Sequence, residues 1–308
     1  MHNSAYPLLL LTTLFWGGNA VAGKLAVGHV SPMALTFLRW VLALAILLPF
    51  AWKPLRRDWP QVRGNLPLLG LLGVIGFTCF NATMYSALAF TSAVNVSIEQ
   101  GAIPLVIIVA NFLLFGVKAS LLQLAGFVLS LIGVGLTASH GDLLRLAELD
   151  INFGDLLMLF AVVAYGVYTI ALRFKPEIHW LSMITVLASA ACLSSIPLAA
   201  WEIAAGNLVV PDRTGWMIVA YVALFPSFLA QVFYIRGNEL IGANRAGLFV
   251  NLVPIFGTLL SILILGEVFH LFHAVALVLV FCGIWLAEYS GRKSMPLPPR
   301  VRAPMDGR

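Results

Sequence analysis

Charge is what this sequence has least of. Of its 308 residues only 10% are Asp, Glu, Lys or Arg, while 61% are hydrophobic. A soluble domain carries about 25% charged residues. A water-soluble fold of this composition could not hide its apolar side chains, so the solvent must be lipid. Cysteine is nearly as scarce. Cys79, Cys192 and Cys282 stand far apart in apolar runs, which excludes a disulfide framework or a zinc site and leaves them as small core residues. Catalytic motifs are missing too. No H-E-x-x-H, G-x-S-x-G or G-x-G-D is present, and the six histidines are scattered or near loops. An intramembrane enzyme would need such a constellation, so no metal, cofactor or catalytic residue is expected. Residues 1–5 carry no Lys or Arg, so Ala20-Val21-Ala22 does not read as a signal-peptidase site.

One motif is almost present. Gly18 to Lys24 spells G-N-A-V-A-G-K, the opening of a phosphate-binding loop, but Leu25 follows where a Ser or Thr should hold magnesium. The preceding Leu8–Trp16 stretch is apolar and helical in length, not a strand. An ATPase is excluded, and the glycines serve close helix approach instead. Lys24 is then either a snorkelling residue at the membrane interface or a gate charge at the outer mouth.

What the chain does have is ten apolar runs, at about 6–27, 32–52, 65–90, 92–115, 120–139, 152–172, 179–201, 214–238, 243–266 and 270–290. Each approaches the roughly 20 residues that cross a bilayer core of ~30 Å. With the N-terminus in the cytoplasm, 14 Lys and Arg fall inside and 3 (Lys24, Arg145, Arg213) outside, with Arg39 within a span. That bias sets both termini in the cytoplasm. The net charge of +5 is therefore topological and calls for no nucleic-acid partner. The tail 292–308, rich in Arg and Pro, is expected to be disordered at the cytoplasmic lipid surface.

The chain is written twice. At an offset of 150, Pro104 falls on Pro254, Ala93 on Ala243, Gly116 on Gly266 and Gly133 on Gly283; at 149, Trp16-Gly17 falls on Tyr165-Gly166 and Lys24 on Arg173. The expected fold is all-α and polytopic, with ten transmembrane helices as two inverted five-helix repeats around a central cavity. Residues 1–140 form the first repeat, 141–151 an extracytoplasmic connector and 152–291 the second repeat, because an odd number of helices per copy makes the second enter from the other face. Inverted repeats are the architecture of alternating-access carriers, with the substrate site near midplane at the repeat interface. A channel would instead need rings of like groups around one pore. The expected partners are a small-molecule substrate and the bilayer, for a monomer.

Polar residues at membrane depth face a bundle interior or a water cavity. Those at helical spacing here are Trp16 and Asn19; Thr78, Asn81 and Tyr85; Asn95 and Glu99; Tyr165 and Tyr168; Gln231 and Tyr234; Asn244 and Asn251. They predict that helices 1, 3, 4, 6, 8 and 9 line a cavity while 2, 5, 7 and 10 brace it. Aromatic faces with amide neighbours suit a zwitterion bearing an apolar side chain; equally, each residue could bond only a neighbouring helix. Arg39 and Glu99 lie at equal depth, about eight residues from the outer ends of their helices. They are expected either as an ion pair that locks the outer half or merely ties helices 2 and 4, or with Glu99 as a titrating group that couples protons. Pro104 and Pro254 occupy matching places and are expected as hinges or fixed kinks.

The run F-W-G-G-N at 15–19, the spacing from Pro32 to Arg39, P-L-V-I-I-V-A-N-F-L-L-F-G at 104–116 with G-F-V-L-S-L-I-G-V-G at 126–135, and their echo P-I-F-G-T-L-L-S-I-L-I-L-G-E at 254–267 with Gly283 resemble the drug/metabolite transporter superfamily, EamA type. The resemblance spans nearly the whole chain. One departure stands out: the Gly-Glu pair usual after helix 4 is Gly116-Val117 here, whereas Gly266-Glu267 keeps it. The resemblance implies a secondary or facilitative transporter of the bacterial inner membrane, exporting amino acids including aromatic ones. Nucleosides and organic cations remain the alternative substrates, and an enzyme or channel the remaining alternative function.

Overall fold

A computed structural model describes residues 5–116, 120–142, 152–242, 246 and 249–294, with side chains to residue 286. Its elements are all helical: α1 (Ala5–Leu25), α2 (Pro32–Gly64), α3 (Leu66–Ala87), α4 (Ala93–Phe115), α5 (Leu121–Ala138), α6 (Phe153–Phe174), α7 (Trp180–Ala204), α8 (Arg213–Ile241), α9 (Val253–Leu265) and α10 (Leu271–Ser294). Eight are long and apolar enough to cross a bilayer, and α9 and α10 contribute two shorter apolar stretches. Large apolar side chains stand exposed around the outside, with Leu121 85% and Leu271 81% accessible. These are lipid contacts for a protein whose solvent is hydrocarbon. The helix starts are written locally: Pro32 and Pro67 occupy first-turn positions, Ser120 and Gln123 form a capping box, and Asn152 and Asp212 accept N–H bonds from Gly154 and Gly215 at 2.7 Å.

Contacts between helix ends fix their directions. Lys24, at the end of α1, donates to the carbonyls of Leu88 and Thr91 after α3, and Asn152, at the start of α6, donates to Phe90. The end of α1 and the start of α6 therefore share one face, which we call the Lys24 face. At the other face Arg173, at the end of α6, donates to Asn111 of α4. So α6 runs opposite to α1, and the second repeat is inverted. The packing obeys the same symmetry. Advancing every helix by five turns α1·α8 into α6·α3 and α1·α9 into α6·α4, and it leaves α2·α7, α5·α10 and α4·α9 unchanged; all of these pairs pack together.

Small residues set the closest approaches. A Cβ on Gly17 would lie 2.6 Å from the backbone nitrogen of Gly257, so α1 and α9 touch through their backbones. On the α5·α10 seam a Cβ on Gly133 would lie 2.8 Å from the carbonyl of Ala276, and its repeat partner Gly283 packs against Ser130. Between helices that have no hydrophobic drive to associate in lipid, such approach is what gives packing.

Two features differ from a simple ten-rod reading. The second run was expected to stop at 52, where the charges begin. The helix instead continues to Gly64, 33 residues in all. At 1.5 Å per residue that is about 50 Å against a core of roughly 30 Å. Charge ends the membrane crossing but not the hydrogen-bond ladder. Second, the prolines do not simply kink their helices. α4 is interrupted at Gly101–Ala102, ahead of Pro104, and the matching turn at Asn251–Leu252 precedes Pro254. Each proline sits in the first turn of a new half-helix, where its missing N–H costs nothing. A further symmetric pair is the π-helical turns Val74–Cys79 in α3 and Phe225–Leu229 in α8. Such turns free carbonyls and cluster at functional sites.

Candidate functional site

The middle of the bundle is organised by Arg39. This side chain comes from α2, a helix expected only to brace, and is 5% exposed. Its Nε donates to Ser227 Oγ at 2.6 Å. Its Nη1 donates to Asn81 Oδ1 at 2.5 Å, Tyr85 Oη at 2.6 Å and Asn19 Oδ1 at 3.2 Å. Tyr85 in turn donates to Asn19 at 2.9 Å, and Asn81 to the Phe77 carbonyl at 2.7 Å. The ring of Trp40 lies 5.0 Å from the guanidinium carbon. Four helices, α1, α2, α3 and α8, thus converge on one cation. The π-helical turn in α8 supplies Ser227, whose hydroxyl donates back five residues to Val222. Every partner of Arg39 is neutral. Buried charges ordinarily carry an opposite charge beside them; this one has none among the described residues, and its Nη2 has no hydrogen-bond partner there.

Around this node stand the aromatics. Trp40 stacks on Phe77 at 4.7 Å, Phe77 meets Tyr168 at 5.9 Å, Tyr168 meets Tyr165 at 5.3 Å, and Tyr165 meets Phe80 at 4.9 Å. Trp16 packs on Tyr234 at 5.3 Å and donates to the Pro226 carbonyl at 3.3 Å. Gly76 leaves room for the Tyr168 ring, since a Cβ there would overlap it.

The expected site residues divide by what their polar atoms do. Asn19, Asn81 and Tyr85 are buried and committed to Arg39. The side chains of Tyr165, Tyr168 and Gln231 have no hydrogen-bond partner among the described residues, whereas the Tyr234 hydroxyl is engaged by Asn238; Tyr165, Gln231 and Tyr234 are only partly buried. Tyr165, Tyr168 and Gln231 therefore carry uncommitted polar edges. The expected chamber is thus half filled: its amide side is knotted into protein and its aromatic side is available. A cavity of about 120 Å³ lies between Tyr85 and the loops of the Lys24 face, bordered by Gly23, Val30, Pro32, Leu35 and Asn207.

Other expectations are corrected. Thr78 does not face the centre; it bonds the Ala191 carbonyl at 3.2 Å and Ser194 at 2.6 Å on α7. It lies inside the π-helical turn, where the extra residue rotates it off the Asn81–Tyr85 face. Asn95 points away from Arg39, donating to Asp155 at 3.3 Å and meeting His273 Nε2 at 3.2 Å. Arg39 and Glu99 form no ion pair: the bonds of Arg39 go elsewhere, and both carboxyl oxygens of Glu99, 0% exposed, have no hydrogen-bond partner. Lys24 binds carbonyls at 2.9 and 2.7 Å, closing α1 against the α3–α4 connection. Asn251 is half-buried in the turn before Pro254. Asn244, the 143–151 part of the connector and the tail from 295 lie outside the described residues.

Three carboxylates to which sequence reasoning assigned no role hold helix ends. Glu202, near the end of α7, accepts from Ser31 Oγ at 2.6 Å, Ala34 N at 3.0 Å and Met33 N at 3.2 Å at the start of α2. Reciprocally, Asp58 of α2 accepts from His179 N at 2.7 Å and Ser182 Oγ at 2.8 Å at the start of α7. Glu267, after α9, accepts from the N–H groups of Ala93 and Val94 at 2.8 Å each, at the start of α4. All three place negative charge on a helix N-terminus of the other repeat. The 150-residue offset maps Glu267 onto position 117 and not onto the Ala93 and Val94 N–H groups, so no pattern in the sequence announced these ties.

The profile of the EamA-like transporter family matches the chain twice, over residues 3–139 and 152–289. The chain belongs to the EamA-like transporter family. Proteins similar to this chain include the Bacillus subtilis "Uncharacterized transporter YyaM", 28% identical over 288 residues, covering 93% of this chain and 94% of that one. An "Uncharacterized transporter" of Archaeoglobus fulgidus is 28% identical over 294 residues, covering 93% and 98%. The Salmonella typhimurium "Uncharacterized inner membrane transporter YicL" is 23% identical over 303 residues, covering 92% and 95%. A solved structure, titled only "Crystal structure of protein", matches with a TM-score of 0.64 at 21% identity over 94% of this chain and 98% of that one; it supports the EamA-like fold alone. The chain is a multi-pass membrane protein of a transporter family.

Proposed function

We propose that this EamA-like transporter is a secondary or facilitative carrier that exports small amphipathic carboxylates, amino acids with aromatic side chains foremost, by alternating access. The observation that carries this reading is Arg39: a buried guanidinium whose protein partners are all neutral, beside tyrosines with uncommitted edges. A substrate carboxylate supplies the missing negative charge, and guanidinium–carboxylate pairs are strong and directional. Tyr165, Tyr168 and Tyr234 receive an apolar or aromatic side chain on their faces, and Gln231 offers both a donor and an acceptor to an ammonium or a carboxylate. A cationic drug would meet Arg39 unfavourably, so the organic-cation reading ranks lower. The interruptions before Pro104 and Pro254 are the places where half-helices swing. Its charge bias orients both termini to the cytoplasm, and the reading places it in the bacterial inner membrane as a monomer.

The test is counterflow in liposomes containing the purified protein, with labelled L-phenylalanine and L-leucine, then uridine, then tetraethylammonium. Saturable exchange of phenylalanine, competed by leucine but not by phenethylamine, which lacks the carboxylate, is expected. Exchange of tetraethylammonium without phenylalanine, or conduction without saturation, overturns the reading.

A further inference from the structure

We propose that Glu99 is a proton-binding site, loaded from the Lys24 face through His140 and Asp155, and that its protonation powers the transport cycle; this rests on the carrier reading above. Four observations lead there. Glu99 is 0% exposed, and neither carboxyl oxygen has a hydrogen-bond partner. An ionised carboxylate is not tolerated without partners in so apolar a place, so in this conformation the group is the neutral acid. Asn95, one helical turn earlier on the same face of α4, bonds Asp155, which is also 0% exposed and takes a short hydrogen bond from Thr91. Through Asn95, Asp155 is placed about one helical turn from Glu99. Last, His140 Nε2 lies 3.9 Å from Asp155 Oδ2, and its side chain is 44% exposed. An exposed base, a buried acid and a second buried acid thus stand in series from the surface inward.

The neighbouring histidine does not carry the proton. His273 Nδ1 accepts from the backbone N–H of His270 at 3.1 Å, so Nε2 holds the hydrogen and donates to Asn95 Oδ1. That fixes the Asn95 amide with its NH2 toward Asp155. Other ionisable groups on helices packed against this part of α4 are Glu267 and Lys24, both tied at the Lys24-face ends, and His270. Proton transfer is then short in description: His140 passes a proton to Asp155, and Asp155 passes it to Glu99, whose side chain can turn toward Asp155 without breaking any hydrogen bond. Glu99 lies two residues before the Gly101–Ala102 interruption. Loss of its proton leaves a bare charge beside the hinge of α4, which favours the conformation that gives that charge water or a cation.

Two measurements test this. In infrared titration of the protein in lipid nanodiscs, the difference between wild type and Glu99→Gln at neutral pH should show a lost carboxylic-acid carbonyl band; a lost carboxylate pair of bands instead overturns the proposal. This arm needs no substrate. In liposomes, phenylalanine exchange by wild type should vary by up to about tenfold per pH unit on its titrating limb, and Glu99→Gln should flatten the profile. His140→Ala should slow proton entry, read with an internal pH dye under an imposed gradient. A pH profile that Glu99→Gln leaves as steep as wild type overturns the proposal. Absence of exchange by wild type overturns the carrier reading, while the infrared arm still decides whether Glu99 holds a proton.

Discussion

Glu267 gives the sharpest handle on the cycle. Its two carboxylate oxygens each accept an N–H at the start of α4, 2.8 Å away, so the end of α9 is fastened to α4; under the alternating access proposed above, this tie belongs to the state in which the Lys24 face is shut. Glu267→Gln keeps one accepting oxygen and the side-chain volume but removes the charge and one bond. A hydrogen bond to a charged group contributes ~1.5–3 kcal/mol, reduced here by partial exposure to about 1–2, and a charge on a helix N-terminus adds ~0.3–1 kcal/mol. The sum, about 2 kcal/mol, shifts a two-state equilibrium roughly 30-fold at 1.4 kcal/mol per tenfold. The readout is thiol accessibility. With Cys79, Cys192 and Cys282 replaced by Ser, Ala26→Cys places one thiol at a Lys24-face position that is 2% exposed. When opening and closing are fast, alkylation follows the open population, so maleimide labelling should rise roughly 30-fold in Glu267→Gln. The 150-residue offset puts Val117 where a second such carboxylate would stand. Val117→Glu should therefore also raise labelling, by favouring the state with the other face shut. Unchanged labelling in Glu267→Gln, with a lowered melting temperature, would show that this carboxylate fastens the fold and not a state, and the reasoning would fail.

Four further outcomes are expected. Arg39→Met removes four side-chain hydrogen bonds; at ~0.6 kcal/mol for each bond between membrane helices the loss is about 2 kcal/mol, measurable by unfolding in mixed micelles, and phenylalanine exchange should vanish. Gly17→Leu drives a side chain into the backbone of Gly257, so α1 and α9 should separate and the protein should elute as aggregate on size exclusion, whereas Leu113→Ala on the lipid side should not. Pro104→Ala and Pro254→Ala restore a backbone donor at the interruptions and should slow exchange while leaving phenylalanine binding, read by tryptophan fluorescence, in place. Asp212, at the start of α8 and outside the membrane, is held below the ordinary carboxylate range by the Gly215 N–H and by His29. Its contribution is present above the ordinary range and lost as pH falls through the depressed value, so Asp212→Asn should flatten only the acid limb, below about pH 4, of melting temperature against pH.

Much of the architecture was written in the sequence. Apolar run length marks the crossings, and the 150-residue offset predicts inversion, because five crossings per copy leave no other arrangement. The partners of Arg39 were not legible. Spacing along a helix gives depth, and depth alone matched Arg39 with Glu99; the direction around the helix axis, which sends Arg39 toward Ser227 and Asn81, depends on π-helical turns that no local pattern announced. The same turn carried Thr78 to α7. Asp58 and Glu202 looked like the polar punctuation of connectors, and Glu267 stood out only as the retained Gly-Glu pair; the helix ends all three cap belong to the other repeat, far away in sequence. Tyr165, Tyr168 and Tyr234 were singled out because aromatic hydroxyls in an apolar run have few other reasons to be there.

The reciprocal ties between α2 and α7 have a consequence for how the molecule moves. Asp58 at one end and Glu202 at the other rivet a helix of the first copy to its counterpart in the second, and the glycine seam does the same for α5 and α10. A transition that slid one copy bodily past the other would have to shear both struts. Under the alternating access proposed above, the line along which the ancestral segment was duplicated is therefore not the line of opening: α2–α7 and α5–α10 would stay as fixed walls, and the broken rods between them would do the travelling.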